Sequence, residues 1–410
     1  TIGFNDTDRD GLGDAEEVHI YNVTYPTTDY MDPDSDNDGL GDGAEVLIYG
    51  TYPNSTDTDI DDLSDSEEIV GVDIPGIGVR QTDPLDPDTD SDNISDGNET
   101  KGIVINISET NTVMTVYSDP TVFDTDGDGL SDYQEAMGGW SCSVDYGNGT
   151  ARSYMVYSDP NNVDTDGDGL SDYDEYSIGS DPTIVDTDSD NLDDYDEYFG
   201  VNISGIGVRR TDPLRFDTDN DGIGDYTEYN NTHTDPTKWD TDDDGLGDKQ
   251  ELDGWTVTIV YSLGSNITNT TSYSTNSSPL DYDSDGDGLS DLDEYRLGSD
   301  PRKNDTDGDK IPDVREASLG TDLCDVDTDD DGLSDYEETT GINVPGLGTI
   351  RTNPLDNDSD GDNLNDYEEC RIYNTSAIDL DTDHDGIGDY DEVYTSVSYT
   401  HLTLPTTERV

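Results

Sequence analysis

One twelve-residue pattern recurs fourteen times in this chain and constrains its fold more than any other feature. The clearest copies read DTDGDGLSDYQE at Asp124–Glu135 and DTDGDGLSDYDE at Asp164–Glu175. Every copy has Asp at positions 1, 3, 5 and 9, Leu or Ile at position 7, and Glu at position 12. A short repeat of this kind indicates an array of small, similar units.

The pattern also explains the charge of the chain. The 410 residues carry a formal net charge of −85, and five acidic residues in each of fourteen copies account for 70 of the 102 Asp and Glu. Only 29% of the residues are hydrophobic, which is too few for one large core. A disordered acidic tract would explain the charge but not the Leu or Ile fixed at position 7. We therefore expect folded loops that need cations.

The same charge bears on partners. A surface this acidic repels nucleic acid and anionic lipid, so neither is expected to bind. No stretch approaches the roughly 18 apolar residues of a membrane span, so we expect no membrane insertion.

The spacing of the acids matches that of a calcium loop. Such a loop supplies oxygen ligands at positions 1, 3 and 5, a backbone carbonyl at position 7, an oxygen at position 9 and a Glu at position 12. A set made only of oxygens favours calcium over zinc or copper, and magnesium keeps more of its own water. The sequence predicts about one calcium ion per loop, or more if position 9 and the Asp of the linker bind extra ions.

The predicted metal ligands fall into six sets, one for each ligand position, and the loops are numbered 1 to 14 by their first residues. Position 1 is Asp6, Asp34, Asp57, Asp88, Asp124, Asp164, Asp186, Asp217, Asp240, Asp283, Asp305, Asp327, Asp358 and Asp381. Position 3 is Asp8, Asp36, Asp59, Asp90, Asp126, Asp166, Asp188, Asp219, Asp242, Asp285, Asp307, Asp329, Asp360 and Asp383. Position 5 is Asp10, Asp38, Asp61, Asp92, Asp128, Asp168, Asp190, Asp221, Asp244, Asp287, Asp309, Asp331, Asp362 and Asp385. Position 7, through its carbonyl, is Leu12, Leu40, Leu63, Ile94, Leu130, Leu170, Leu192, Ile223, Leu246, Leu289, Ile311, Leu333, Leu364 and Ile387. Position 9 is Asp14, Asp42, Asp65, Asp96, Asp132, Asp172, Asp194, Asp225, Asp248, Asp291, Asp313, Asp335, Asp366 and Asp389. Position 12 is Glu17, Glu45, Glu68, Glu99, Glu135, Glu175, Glu197, Glu228, Glu251, Glu294, Glu316, Glu338, Glu369 and Glu392.

Position 6 needs a backbone with positive φ, which Gly adopts most readily. Nine loops have Gly there and three have Asn, while Asp62 and Lys310 are the exceptions. Because Lys310 also brings a cation to the site and Pro312 follows it, we expect loop 11 to be the weakest or most distorted site.

The loops are too closely spaced for ordinary EF-hands, which need a helix on each side. The shortest spacing between loop starts is 22 residues, which leaves ten for the linker, as in YSIGSDPTIV at Tyr176–Val185. Ten residues suffice for one short helical turn, a Gly that ends it and a bend at Asp-Pro.

The DTDGDGLSD motif and its Gly-Ser-Asp-Pro linker resemble the thrombospondin type 3 repeat in its bacterial and archaeal form. The resemblance runs from about Phe4 to about Tyr394. It implies an aperiodic, calcium-dependent string of loops with little regular structure, found in secreted or cell-surface proteins. Such repeats serve as stalks, spacers or parts of larger adhesins and enzymes.

Insertions between loops depart from that family. Three share one cassette, at Val72–Leu85, Val201–Leu214 and Ile342–Leu355, and read as short β-hairpins. Longer insertions at Lys101–Pro120, Gly138–Pro160 and Gly254–Pro279 alternate as strands do, with turns expected at 109–112, 146–149 and 266–271. The hairpins either cover neighbouring loops as local cores or join other chains through their edges.

The fold class predicted is an elongated array of calcium-binding loops with little regular structure, short helical turns and inserted hairpins. We expect four parts: residues 1–100 with loops 1 to 4, 101–280 with loops 5 to 9 and long hairpins, 281–396 with loops 10 to 14, and a tail at 397–410. The tail has no loop and is of doubtful origin.

Other sites are fewer. Asn-X-Ser/Thr sequences outside the loops predict N-linked glycans, consistent with a secreted chain. They are Asn22, Asn54, Asn106, Asn148, Asn202, Asn230, Asn266, Asn269, Asn276 and Asn374. Cys324 and Cys370 could pair, although their spacing does not require it. No catalytic motif is present, and His384 at position 4 of loop 14 is expected to be a solvated spacer.

The function predicted is therefore that of an extracellular or cell-surface structural protein, not an enzyme. It would be a calcium-stabilised stalk or a fibre that self-associates through its hairpins. The alternative is a calcium-binding spacer from a larger secreted adhesin or enzyme.

Overall fold

A computed structural model describes residues 5–19, 28–107, 112–147, 149–262 and 268–394. The chain forms two compact units, one of Thr1–Thr218 with Gly224–Thr237 and one of Asp219–Ile223 with Lys238–Val410. The sequences at Asn22, Asn148 and Asn266 and the tail at 397–410 lie outside the described residues. The four-part division drawn from the sequence stays a prediction.

Each named α-helix in the described chain begins at position 9 of a loop. An Asp in the first turn suits the positive end of the helix dipole, and a Gly with positive φ often ends the helix. The α-helices are Asp14–His19, Asp42–Ala44, Asp65–Val70, Asp96–Lys101, Asp172–Ile178, Asp194–Phe199, Asp225–Thr227, Asp248–Asp253, Asp291–Leu297, Asp313–Leu319, Asp335–Thr340 and Asp389–Tyr394.

Four helical segments of the described residues are π-helical, namely Glu45–Tyr49, Gln134–Gly138, Glu228–Thr232 and Glu368–Tyr373. Three of them follow loops 2, 8 and 13, whose distance to the next loop is 23 residues, whereas the 22-residue spacings after loops 6, 10 and 11 keep an α-helix. A π-helical turn accommodates one extra residue, so the linker can leave the helix in the same direction in repeats of 22 and 23 residues.

All strands belong to six two-stranded antiparallel hairpins, so the described residues contain no larger sheet. The strands are β1 Val72–Ile74, β2 Gly78–Arg80, β3 Ile103–Ile107, β4 Thr112–Val116, β5 Trp140–Asp145, β6 Ala151–Val156, β7 Val201–Ile203, β8 Gly207–Arg209, β9 Trp255–Ser262, β10 Thr268–Thr275, β11 Ile342–Val344 and β12 Gly348–Ile350. The predicted repeat architecture with hairpin insertions is confirmed.

The turn expected at 266–271 is wrong in its second half. Strand β10 already begins at Thr268, and Thr270 and Thr271 pair with Val260 and Ile259. The segment is rich in β-branched and hydroxyl residues that suit an exposed strand, and this preference outweighs the turn propensity of its Asn residues. Likewise Thr112, placed in a turn by the sequence, begins β4.

The hairpins form small local cores together with the loops before them. The β3–β4 hairpin packs with Ile94 from position 7 of loop 4, and the β5–β6 hairpin with Leu130 from position 7 of loop 5. In the third cassette, Leu333 from position 7 of loop 12 joins the cluster of β11 and β12. Covering neighbouring loops is therefore one role of the insertions.

Two long hairpins also reach later linkers of the same unit. The indole of Trp140 donates to the Ser180 carbonyl (2.8 Å), and that of Trp255 donates to the Ser299 carbonyl (2.9 Å). The outer edge of β5 bridges to Arg215, and that of β9 bridges to Asp325. These edges are partly satisfied within the chain, which weakens the argument that every hairpin edge seeks another chain.

The three short cassettes use two kinds of contact. Arg80 forms an ion pair with Asp119, and Arg209 forms one with Asp235 (2.6 Å), in each case with the linker after the next loop. The third cassette has Ile350 where the others have Arg, and it packs in a cluster with Ala377.

Candidate metal centre

Loop 6 illustrates how the first acids shape each loop. One carboxylate oxygen of Asp164 accepts from the Gly167 amide (2.7 Å) and the other from the Gly169 amide (3.1 Å). Oδ1 of Asp168 accepts from the Leu170 amide (2.6 Å), which directs position 7 inwards, and Leu170 is 1% exposed. The carboxylates thus fold the loop as well as line it.

The loop has two left-handed positions, not one. Position 4 has positive φ as well as position 6, from Arg9 (70°) in loop 1 to His384 (59°) in loop 14. Sequence reasoning found only position 6. Position 4 is occupied by many residue types, so the sequence gives no signal that its backbone needs a positive φ.

Loop 11 keeps the hydrogen bonds of the other loops, contrary to the expected distortion, whereas its expected weakness stays a prediction. Lys310 adopts φ of 92°, its amide donates to Asp305 (3.1 Å), and Ile311 donates to Asp309 (2.6 Å) as in the other loops. The Lys310 ammonium lies 4.6 Å from the centre of the Tyr336 ring in loop 12. This cation–π contact directs the charge onto the ring.

Position 9 is fixed by position 2 in all fourteen loops. In loop 6 the Thr165 amide donates to Oδ1 of Asp172 (2.9 Å) and the Thr165 hydroxyl donates to Oδ2 (2.7 Å). The same two bonds join every Thr or Ser at position 2 to its Asp. Position 9 therefore closes its own loop, a role that the calcium-loop spacing did not suggest.

The Glu at position 12 is held from the following linker. In loop 3 the Thr82 hydroxyl donates to Oε1 of Glu68 (3.0 Å), and a Thr or Ser at the same linker position does so in twelve of thirteen linkers. The residue stands six places before the next loop and is Thr or Ser in every linker.

Most loops contain two buried oxygens with no hydrogen-bond partner among the described residues. In loop 6 they are Oδ2 of Asp166 and Oε2 of Glu175, and the same pair recurs in loops 1 to 5, 7 and 9 to 13. Burial raises the pKa of Glu175 to about 10 and that of Asp166 to about 7, with neighbouring acids adding to both shifts. Buried carboxylate oxygens without a partner are costly, and a cation is the group that satisfies them.

Acids of adjacent loops also converge. Oxygens of Asp61 and Glu68 in loop 3 and Asp96 in loop 4 lie within 4.8 Å of one another and belong to buried residues. Asp10, Glu17 and Asp42 form the same group at the junction of loops 1 and 2. The chemistry of these oxygen-only sets fits calcium.

A backbone contact joins the loops at the same junctions. The Gly97 amide, at position 10 of loop 4, donates to Oδ2 of Asp61 at position 5 of loop 3 (2.7 Å). Eleven junctions have this bond from position 10 of one loop to position 5 of the loop before.

The remaining candidates differ from the loops. His384 is exposed and its ring nitrogen Nδ1 lies 2.6 Å from the Asp381 carbonyl, a contact that raises its pKa. Cys324 and Cys370 are free, buried thiols in separate clusters, so the disulfide considered from the sequence does not form. Of the predicted glycosylation sites that are described, Asn276 is half-buried and the others are exposed.

Irregular loops around buried carboxylates, joined by short helices and hairpins, define a repeat protein of ion-binding loops. The sequence model of the bacterial TSP3 repeat matches residues 34–56, 124–139, 164–183, 217–238 and 283–303, about a quarter of the chain. These five segments thus match bacterial TSP3 repeats, which confirms the resemblance drawn from the motif, and repeats of this family are calcium-binding.

Beyond this family, no curated protein and no solved structure matches the chain. Within the described part of the chain, no helix has the length and apolar character needed to cross a membrane.

Proposed function

We propose that this chain is an extracellular structural protein in which calcium ions take the place of a hydrophobic core. The observation that supports this most strongly is the recurring pair of buried oxygens at positions 3 and 12, present in twelve loops and without a hydrogen-bond partner in the described chain. Each local core is small, so ion binding would supply much of the folding free energy.

The proposed ligands within a loop are the side chains at positions 1, 3, 5 and 12 and the carbonyl at position 7. A second ion would lie between loops, bound by positions 5 and 12 of one loop and position 9 of the next, as Asp61, Glu68 and Asp96 are grouped. One ion per loop would reduce the net charge from −85 to about −57, and two per loop to about −29.

Counting bound ions tests this assignment. Native mass spectrometry of the calcium-loaded chain should give close to fourteen ions if only the loops bind, and a number approaching two per loop if the junctions bind as well. Substituting Asp96→Asn should remove the junction ion while the ion inside loop 3 remains. A count far below fourteen would contradict the ligand set.

An extracellular location follows from the expected affinity. Structural calcium loops of extracellular modules bind in the range of about 10⁻⁴–10⁻³ M, so they would be empty at cytosolic calcium. A calcium titration followed by circular dichroism should give a midpoint in this range. A midpoint below about 1 μM would favour a cytosolic buffer instead.

Self-association through the hairpins is the finer part of the proposal. Edges of β5 and β9 bridge to later linkers of the same unit, but in the described chain β4, β6 and β10 join a sheet only with their hairpin partner. Sedimentation velocity with calcium should show concentration-dependent assembly if these edges join chains. A monomer at high concentration would favour the monomeric stalk or the spacer of a larger adhesin or enzyme.

N-linked glycans at the exposed sites, such as Asn106 and Asn202, belong to the same proposal. Asn106 lies on the outer face of β3, opposite Val113, so a glycan there would cover that face and oppose association through it. Peptide mass spectrometry of material from the native host would detect the added mass.

A further inference from the structure

The linker hydroxyl that contacts Glu at position 12 is fixed by the loop that follows it. At the junction of loops 3 and 4, the Thr82 hydroxyl donates to Glu68 (3.0 Å). The next residue, Asp83, donates its amide to the Thr89 hydroxyl (3.0 Å), which donates to Asp96 (2.6 Å).

These bonds form a continuous chain from one site to the next. Glu68 belongs to loop 3, whereas Thr89 and Asp96 are positions 2 and 9 of loop 4. When loop 4 folds, it fixes the positions of Thr89 and Asp96. Because the Asp83 amide donates to Thr89, the linker residue Thr82 next to Asp83 is fixed as well. Twelve linkers donate their amide to the position 2 hydroxyl of the next loop in this way.

The two carboxylate oxygens of Glu68 have different surroundings. Oε1 accepts from Thr82, and Oε2 is buried with no hydrogen-bond partner among the described residues. Holding Oε1 fixes the rotation of the carboxylate, and with it the direction of Oε2. A ligand whose orientation is fixed in advance loses less freedom when the ion binds.

We propose that the linker hydroxyl is a positioning residue for the calcium site of the preceding loop, and that it couples that site to the next loop. This inference rests on the calcium-binding function proposed above. Filling loop 4 orders the linker, the linker orients Glu68, and loop 3 then binds its ion more tightly. The coupling is reciprocal because it is a free energy shared by two sites.

The first test uses the full chain and hydrogen–deuterium exchange at increasing calcium, read separately from peptides of loop 3 and loop 6. Thr82→Val removes the hydroxyl at nearly constant shape, and Thr82→Ser keeps it. We expect Thr82→Val to raise the calcium midpoint of loop 3 by roughly fivefold or more, with Thr82→Ser within about twofold of the parent. Loop 6 should not change in either variant.

An unchanged midpoint in Thr82→Val, or equal shifts in both variants, would overturn the positioning role. Thr82→Ala serves as a second hydroxyl-free variant if the Val methyl group disturbs the fold. A parent chain whose loops gain no protection with calcium would instead refute the proposed function itself.

The second test concerns coupling. Asp90→Ala disables loop 4 and should raise the loop 3 midpoint in the parent chain. In the Thr82→Val background the same substitution should shift loop 3 less, since the hydroxyl connection is already lost and only the Gly97–Asp61 bond and the shared acids still join the two loops. Equal shifts in both backgrounds, or none in the parent, would show that the hydroxyl carries no coupling.

Discussion

Loops 3 and 6 have the same residue types at the ligand positions but different residues at the two left-handed positions. One hydrogen bond also differs, since the position 5 amide donates to Asp57 at position 1 in loop 3 (3.3 Å) and to Asp166 at position 3 in loop 6 (3.1 Å). Loop 6 has Gly167 (φ 82°) and Gly169 (φ 107°), whereas loop 3 has Ile60 (φ 70°) and Asp62 (φ 78°). The position 4 amide donates to position 1 in both loops, at 2.7 Å in loop 6 and 2.6 Å in loop 3.

The difference shows that hydrogen bonds to the acids impose the left-handed backbone at positions 4 and 6. The residue types at these positions determine how much free energy that backbone costs. A left-handed residue other than Gly costs about 1–2 kcal/mol, and a β-branched one is the least suited. Ile60 is 85% exposed, so burial does not repay this cost. Loop 3 therefore carries more backbone strain than loop 6.

The largest effect expected is that of pH, because it adds up over all the loops. Without calcium, burial raises the pKa of Glu68 to about 8 and that of Glu175 to about 10, from an ordinary value of 4.5. The folded state then binds more protons than the unfolded state, so its stability falls as pH rises from about 4.5 through those values. The fall should extend to higher pH at loop 6.

With saturating calcium the sign should reverse, because protons compete with the ion for the carboxylates. Circular dichroism at pH 5 and pH 7.5 in chelator measures how the folded fraction changes with pH without calcium, and urea unfolding at the same two pH values measures the slope in calcium. The same sign of slope in both conditions would contradict the assignment of these carboxylates as ligands.

Substitution of a ligand should come next in size. Glu175→Gln removes the charge from a buried site and should destabilise loop 6 in calcium by about 3–5 kcal/mol, the cost of breaking a buried charge pair. Asp174→Asn removes the same charge from the neighbouring residue and is the matched control. Exchange protection of Asp172–Ile178 measures the effect. Equal losses in the two variants would mean that net charge, not ligation, is responsible.

Loss of the position 2 hydroxyl should have a smaller effect that is equal in the two loops. Thr165→Val and Thr58→Val each leave a buried Asp oxygen without its donor, at a cost of about 1–3 kcal/mol. The two hydroxyl bonds have the same length, 2.7 Å. Ser variants should be nearly neutral, since Ser occupies this position in loops 2, 10 and 13. A large difference between loops would show that strain alters the role of this hydrogen bond.

The smallest effect bears directly on the strain. Ile60→Gly should stabilise loop 3 by about 0.5–1 kcal/mol, because relief of the left-handed strain exceeds the entropy that Gly adds to the unfolded chain. Gly167→Ile should destabilise loop 6 by about 1–2 kcal/mol. Exchange protection in calcium measures both. A neutral Ile60→Gly would show that the φ at position 4 carries no strain.

Much of the fold followed from the sequence because ligand spacing and linker length are local properties. The loops, the short helices after them and the hairpin insertions were all predicted in this way. The roles of Thr165 and Thr82 were missed, although Thr or Ser recurs at both positions, because ligand spacing asks only for metal-binding oxygens. The contacts of Trp140 and Trp255 with later linkers join residues about 40 positions apart, and no local pattern encodes them.

The central claim is that bound calcium, and not a hydrophobic core, holds the chain together. Small-angle X-ray scattering of one sample in calcium, after excess chelator and after calcium is restored, tests it most directly. We expect the radius of gyration to rise sharply in chelator and to return with calcium, since without ions the acids repel one another. An unchanged radius of gyration in chelator would contradict the account.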